Sequence, residues 1–425
     1  MADMRIDHEN HGKSPHRIYV FYSFSCHYGR KITKSREQNK RIHSFFCRDE
    51  VSSPSLMAKL QKKAGTFGDL KIKYYFCRMK ERINWIDWGK ALAVITVVFC
   101  HLPQSQEWFY YRYLQTCIIS IFFFLSGYLK KDHGSDKENW KKYWNGLIIP
   151  YLLYNAIVYP YWFVKYYLQH GGMPDLLSAM RPIIGALLFQ HENAFCEPLD
   201  GPLWYLPAIL AMHIIVDLCR RTRYQHVILI VLCVLSYFVY AGNKFWNYLP
   251  NLTFIGIVSR LPIYYIGYVM GQKKQFRALN PNRHFGFGLI LILASIAFFH
   301  WHLQLFNHGN MSQILSTVFL LHIGLFYPIN ICFVFGVLYF CKILNTIKSR
   351  IITNLSIGTL VIIGLHIILI TMVNYALEKL LHIHGVVCYH WYEALPVALL
   401  ITTILFPVIL WGKKHAPVLL GKKRL

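Results

Sequence analysis

Residues 81–101 read Glu81-Arg82-Ile83-Asn84-Trp85-Ile86-Asp87-Trp88-Gly89-Lys90-Ala91-Leu92-Ala93-Val94-Ile95-Thr96-Val97-Val98-Phe99-Cys100-His101. The run is an apolar helix with three ionisable groups inside it or at its ends. At about 100° and 1.5 Å per residue, Asp87, Lys90 and His101 fall within an arc of roughly 60°, and Lys90 and His101 stand about 16 Å apart along the axis. Such a stripe joins one side of a bilayer to its far half. Each charge in that setting costs on the order of 2.5–3.5 kcal/mol on insertion scales, so these groups face protein or water and have work to do.

The rest of the chain agrees with a membrane reading. Of its 425 residues 55% are hydrophobic and 16% aromatic, and apolar stretches of about 17–25 residues, the length that crosses a hydrocarbon core, recur throughout. Ten spans are expected, at 84–102, 112–129, 144–168, 202–219, 225–241, 251–271, 285–303, 318–341, 356–376 and 392–411. Alternate connections carry the basic clusters, among them Lys130 with Lys131, Arg220 with Arg221, Lys273 with Lys274, and the tail Lys413, Lys414, Lys422, Lys423 and Arg424. By the positive-inside rule these face the cytoplasm. The fold class is therefore all-α, a polytopic transmembrane helical bundle of about ten spans with both termini cytoplasmic. The formal charge of +25 does not imply nucleic-acid binding, because the basic residues are spread over short loops and set orientation instead.

Three segments divide the chain. Residues 1–78 are basic, lack sustained periodicity and lack the apolar core of a signal peptide, so they are expected to be poorly ordered. Met79 opens a short leader to the first span and reads as the initiator, with a lipid-binding cytoplasmic arm as the competing reading. Residues 79–412 form the membrane domain and 413–425 a basic tail. The eleven cysteines contain no CxxC pair. Cys196 and Cys388, in outer loops, are the pair that a disulfide could join. His382, His384, Cys388 and His390 lack the ligand spacing of a zinc site, and no metal is expected.

Several motifs share one resemblance. Lys90, ten intervening residues and His101 resemble the Arg/Lys-x10-His signature of the acyltransferase 3 family of membrane O-acyltransferases. Phe122-Phe123-Phe124-Leu125-Ser126-Gly127 is similar to its aromatic Ser-Gly motif, and Gly201-Pro202-Leu203-Trp204-Tyr205-Leu206 to its Gly-x-Leu-Trp-Phe-Leu segment, with Tyr205 in place of the commoner Phe. Ile263-Tyr264-Tyr265-Ile266-Gly267 and Leu355-Ser356-Ile357-Gly358 followed by Leu365-His366 resemble two later segments. The likeness runs over residues 80–411 and is greatest to the fucose 4-O-acetylase-like branch. It implies an acyl-CoA donor, acetyl-CoA in the first instance, with no bound cofactor, a hydroxyl acceptor on a surface glycan or lipid-linked sugar, and residence in a bacterial inner membrane.

Roles follow for single residues. His101, whose ordinary pKa lies near 6.5, suits a general base, with an acyl-histidine as the alternative. Lys90, with Asp87 beside it, suits an anionic donor, although a lysine at a helix start also snorkels and an aspartate three residues earlier is a natural ion-pair partner. Arg260, mid-span, must face protein. It either stabilises charge in the reaction or pairs with Asp87 or Glu197. His366 either orients substrate or His101, or is a satisfied core histidine. Trp204 is a sugar-stacking platform or an interfacial tryptophan, and Ser126-Gly127 allows close helix approach. His213 and His322 read as structural. The stretch 169–201, with His170, Asp175, His191, Glu192, Glu197 and Asp200, reads as a lid built around a short helix at 176–189. Rival functions are a flippase for a lipid-linked sugar, and an acyltransferase acting on an amine, a lipid or a small metabolite.

Overall fold

The structure, a computed structural model, describes residues 83–131, 136–193, 195–246, 252–273, 281–308, 317–381 and 388–422. The expectations for 1–78, for His382 and His384, and for the last three residues lie outside them. Every regular element among the described residues is helical. Helix α1 is Asn84–His101 and α2 is Phe109–Leu129. A short helix α3, Asp136–Tyr143, runs through a π-helical turn, Trp144–Ile148, into α4, Ile149–His170. Helix α5 is Leu176–Leu187, and a 3-10 turn at Gly201–Trp204 opens α6, Tyr205–Cys219. Then follow α7 (Gln225–Trp246), α8 (Leu252–Gln272), α9 (Pro281–His308) and α10 (Thr317–Ile343). The last three are α11 (Arg350–Ile357), α12 (Thr359–Leu381) and α13 (Trp391–His415).

Nine helices among the described residues are long and apolar enough to cross a membrane, and all ten expected spans are helical. The one outside the nine is α1, whose mean hydropathy is held down by Asn84, Asp87, Lys90 and His101. Burial compensates. α1 packs against α2, α10, α11, α12 and α13, and Trp85, Ile86, Ala91, Val94, Val97 and Val98 are all buried. A helix too polar to sit comfortably in lipid is wrapped by others that are not.

Two seams fix the bundle around it. α2 and α8 meet backbone to backbone: a methyl added at Gly127, Gly267 or Gly271 would collide with the carbonyls of Tyr264, Phe124 and Tyr128 respectively. Small residues permit that approach where apolar lipid gives helices no reason of their own to associate. Phe122, Phe123 and Phe124, all buried, fill the core beside the seam. The long pair α9 and α10 packs on the other side. Gly358 breaks the chain between α11 and α12, and a Cβ there would overlap Ile409 of α13.

The expected short helix after α4 is α5. Its N-cap is Asp175, whose carboxylate accepts the Ser178 amide hydrogen bond. Leu176, Leu177, Met180 and Leu187 are exposed, which suits a helix lying in the interface and not one crossing it. The connection beyond it is stitched down. Phe189 and Gln190 both take left-handed φ values, 60° and 63°, a strain of order 1–3 kcal/mol for each non-glycine residue. That turn carries the Gln190 side chain fully inward, where its amide donates to Tyr151 Oη and Asn155 Oδ1 and its carbonyl accepts from the Asp200 amide. Cys196 and Cys388 are both free, contrary to the pairing considered above. The Cys196 thiol is buried and donates to Asn193 Oδ1, while Cys388 is exposed.

Candidate active site

The polar stripe ends at His101 for a covalent reason. Pro103 disfavours helical torsion in the residue before it, and Leu102 is extended with ψ 141°, so the helix stops with His101 as its last residue. The segment after it is anchored: Tyr111 Oη donates to the Cys100 carbonyl, Gln104 Nε2 to the Phe99 carbonyl, and the Tyr389 amide to the Pro103 carbonyl. The His101 ring itself is exposed.

Against it stands His366 of α12, fully buried, with ring centroids 4.8 Å apart and planes at 79°. In each ring Nδ1 faces backbone carbonyls one turn back, at Val97 for His101 (2.8 Å) and at Ile362 and Ile363 for His366 (2.8 and 3.0 Å). A carbonyl only accepts, so in each neutral ring the proton sits on Nδ1 and Nε2 keeps its lone pair. The buried His366 Nε2 has no hydrogen-bond partner. The pair therefore offers two ring nitrogens with free lone pairs, one on the exposed His101 and one on the buried His366 behind it. His366 is thus a core histidine with one nitrogen engaged and the other without a hydrogen-bond partner.

At the other end of the stripe Asp87 is buried and accepts the Ser356 hydroxyl proton at 2.6 Å. This ties α1 to α11 and explains the Leu-Ser-Ile-Gly segment locally. Lys90 is half-buried one turn further along.

Two carboxylates were considered above as partners for Arg260. Neither Asp87 nor Glu197 pairs with it: Asp87 binds Ser356, and Glu197 accepts from Trp162 Nε1 at 2.8 Å. Its guanidinium lies among aromatic rings, 5.4 Å from the Phe326 centroid, 5.9 Å from Trp204 and 6.0 Å from Phe123. One NH donates to Ser259 Oγ at 2.8 Å, and the buried Nε has no partner. Among the described residues no carboxylate neutralises it. Trp204 forms part of this box and lies across Gly256, where an added Cβ would overlap its ring. Trp204 is thereby packed against α8 within the bundle. Ser126 shares a 3.3 Å hydrogen bond with Tyr205 Oη. The predicted residues thus fall into three places: the histidine pair, the Asp87–Ser356 tie, and the Arg260 box with Trp204.

One cluster escaped the sequence reading. Lys130, counted there among loop charges, is buried, its ammonium 2.7 Å from Asp217 of α6 and hydrogen-bonded also to Tyr143. Tyr143 donates to the other Asp217 oxygen and stacks on His213, which in turn meets Tyr264 Oη. An aspartate inside an apolar span was the available signal, since a carboxylate there requires a partner. His322 stacks on His302 with centroids 3.8 Å apart.

A family model described as an acyltransferase domain matches residues 83–412. No curated protein and no solved structure matches the chain.

Proposed function

The chain belongs to the acyltransferase 3 family and is a multi-pass membrane acyltransferase, and from that premise we propose that it moves acetyl from acetyl-CoA to a hydroxyl of a surface glycan or lipid-linked sugar, with His101 as general base. Family membership sets the flippase reading aside. The observation that carries the proposal is the histidine pair, in which Nδ1 is engaged by carbonyls and Nε2 of the exposed ring is left to take a proton.

In this reaction His101 Nε2 removes the proton of the acceptor hydroxyl as its oxygen attacks the thioester carbonyl carbon. The tetrahedral adduct collapses with cleavage of the C–S bond, and the same nitrogen returns the proton to the departing CoA sulfur. Neither electrons nor a further reactant are needed. His366 is a positioning residue: its ring edge or face braces His101. Lys90, about 16 Å away along α1, holds a donor phosphate from the cytoplasmic side, where an ammonium acts as a compact charge, and the Asp87–Ser356 tie fixes the turn that presents it. Arg260, which no carboxylate among the described residues neutralises, supplies positive charge toward the adduct oxygen or the donor. The basic loops support a cytoplasmic donor face and an acceptor beyond the membrane, in a bacterial plasma membrane.

The test is transfer of labelled acetyl from acetyl-CoA into glycan and lipid fractions of membranes holding wild-type or His101→Ala protein at equal expression. Loss of a general base lowers turnover by about 10²–10⁴-fold. Near-wild-type turnover by His101→Ala would remove the catalytic assignment, and the labelled fraction identifies whether the acceptor is a glycan, a lipid or an amine.

A further inference from the structure

A second group of buried polar atoms without partners lies away from the histidine pair. A cavity of about 90 Å³ opens between α4, the loop before α6, and α12, lined by Tyr161, Trp162, Lys165, Asp200, Gly364 and Ile367. On α12 the 100° step puts Gly364, Ile367 and Ile368 on one side and His366 roughly opposite. The helix therefore separates this cavity from the catalytic ring pair.

Asp200 is 5% exposed, and neither carboxyl oxygen has a hydrogen-bond partner; the Tyr161 hydroxyl has none either. A buried polar group left unmet costs about 1–3 kcal/mol, so two at one cavity need an occupant. The walls are fixed: Gln190 accepts from the Asp200 amide at 3.3 Å, Glu197 accepts from Trp162 Nε1, and an added Cβ at Gly185 would collide with the Glu197 carbonyl. Burial pushes the Asp200 carboxyl well above the usual carboxylate range, which favours the protonated form, a donor as well as an acceptor. The Lys165 side chain stands exposed at the rim.

From the cavity a row of rings follows α4. Tyr159 and Trp162 lie 5.8 Å apart at 5°, Trp162 and Tyr166 5.4 Å apart at 35°, and Tyr166 and His170 4.1 Å apart at 19°. A carboxylic acid and a phenol, each able to give and take a hydrogen bond, beside a strip of aromatic surface match the chemistry of a pyranose, whose hydroxyls do both and whose C–H faces pack on rings. The cavity has about three times one water's share of liquid volume. It therefore admits the hydroxyl-bearing edge of one sugar and leaves the rest along the rings.

We propose that Asp200, Tyr161 and the Trp162 row form a noncatalytic binding site for a sugar unit of the acceptor, on the opposite side of α12 from the histidine pair. The proposal rests on the glycan reading for the identity of its ligand, but the binding it asserts requires no transfer. Saturation-transfer NMR with glucose as probe, on the full chain in nanodiscs free of sugar headgroups, tests it. Wild type and His101→Ala are both expected to give a saturable signal. Asp200→Leu and Tyr161→Phe are each expected to weaken binding by about three- to tenfold, as one lost hydrogen bond implies, while Asp200→Asn, which keeps a donor and an acceptor, stays close to wild type. Absence of a saturable wild-type signal means that the cavity holds water alone and overturns the proposal, as does a signal that neither Asp200→Leu nor Tyr161→Phe alters. Glucose binding by His101→Ala together with undiminished transfer by that variant would sink the catalytic assignment and leave this site standing.

Discussion

Adding one methyl group at Gly267 tests whether the α2–α8 seam sets the geometry of the Arg260 box. A Cβ at that position would overlap the Phe124 carbonyl oxygen and lie 3.0 Å from its carbon and 3.1 Å from the Phe124 Cα. Relaxed carbon contacts are about 3.5–4.0 Å, so the two backbones must part by roughly 0.5–1 Å. Both obstructing groups are main chain, and no rotamer change relieves them. Overpacking of this kind costs about 1–3 kcal/mol. The consequence for activity is larger than that for stability: Arg260 lies seven residues, about 10 Å, earlier on the same helix, and a displacement near 1 Å at a reacting centre can cost about 10²-fold. Gly267→Ala is therefore expected to lower the unfolding midpoint in detergent and to reduce acetyl transfer by one to two orders of magnitude, although it touches no reacting group. Gly286→Ala on α9, where an added Cβ meets nothing within 4 Å, is the control. Wild-type stability and wild-type turnover in Gly267→Ala would refute the claim that direct backbone contact there positions the site.

Three further outcomes follow from single contacts. Asp217→Ala leaves the Lys130 ammonium, whose side chain is 4% exposed, without its carboxylate. A loss of about 3–5 kcal/mol is expected, readable as a lower denaturation midpoint and largely recovered in Lys130→Met/Asp217→Leu. Ser356→Ala removes the hydroxyl that Asp87 accepts from. It should destabilise by about 1.5–3 kcal/mol, as for a hydrogen bond to a charged group, and raise KM for acetyl-CoA more than it lowers kcat if that tie presents Lys90. Asp175 is held below its ordinary pKa by the Ser178 side chain first and the Ser178 amide next. Its capping stability is present above the unfolded carboxylate pKa and is lost as pH falls through the depressed folded value. Amide hydrogen exchange at Ser178 and Ala179 should therefore accelerate at acid pH, relative to the intrinsic rate, in wild type and show no such step in Asp175→Ala.

The sequence reading was sound where a signal is local along the chain. Apolar length placed all ten helices to within several residues, and the Lys90-to-His101 spacing identified a stripe that hydropathy alone disfavours as a span. It was incomplete where a partner is remote in sequence. Lys130 follows α2 and counts as a loop charge until Asp217, 87 residues later, is seen to bury it. Arg260 had to face protein, with a carboxylate partner as one of two readings, yet three aromatic rings surround it, and ring faces carry no formal charge for a sequence reading to count. The Ser126-Gly127 pair announced close approach, but only the fold shows that Gly267 and Gly271 complete the same seam. Gln190 gave no signal, because its value lies in two left-handed residues and a buried network that no periodicity encodes.

The enclosure of α1 has a consequence for how the protein is made. This helix is less apolar than the nine others, and four of its five packing partners, α10 to α13, are synthesised last. At about 5–20 residues per second, the interval from His101 to the end of α13 is roughly 16–63 s. Until α10 emerges, Asp87, Lys90 and His101 have only α2 and whatever the insertion machinery provides to shield them from lipid. The histidine pair is thus a late product of biogenesis: its first half waits in the membrane, held by its neighbour, until α12 arrives to bring His366 against His101. Premature termination just before α12 would leave a chain with most of its spans and an incompletely covered polar stripe, which is the kind of surface that membrane quality control removes.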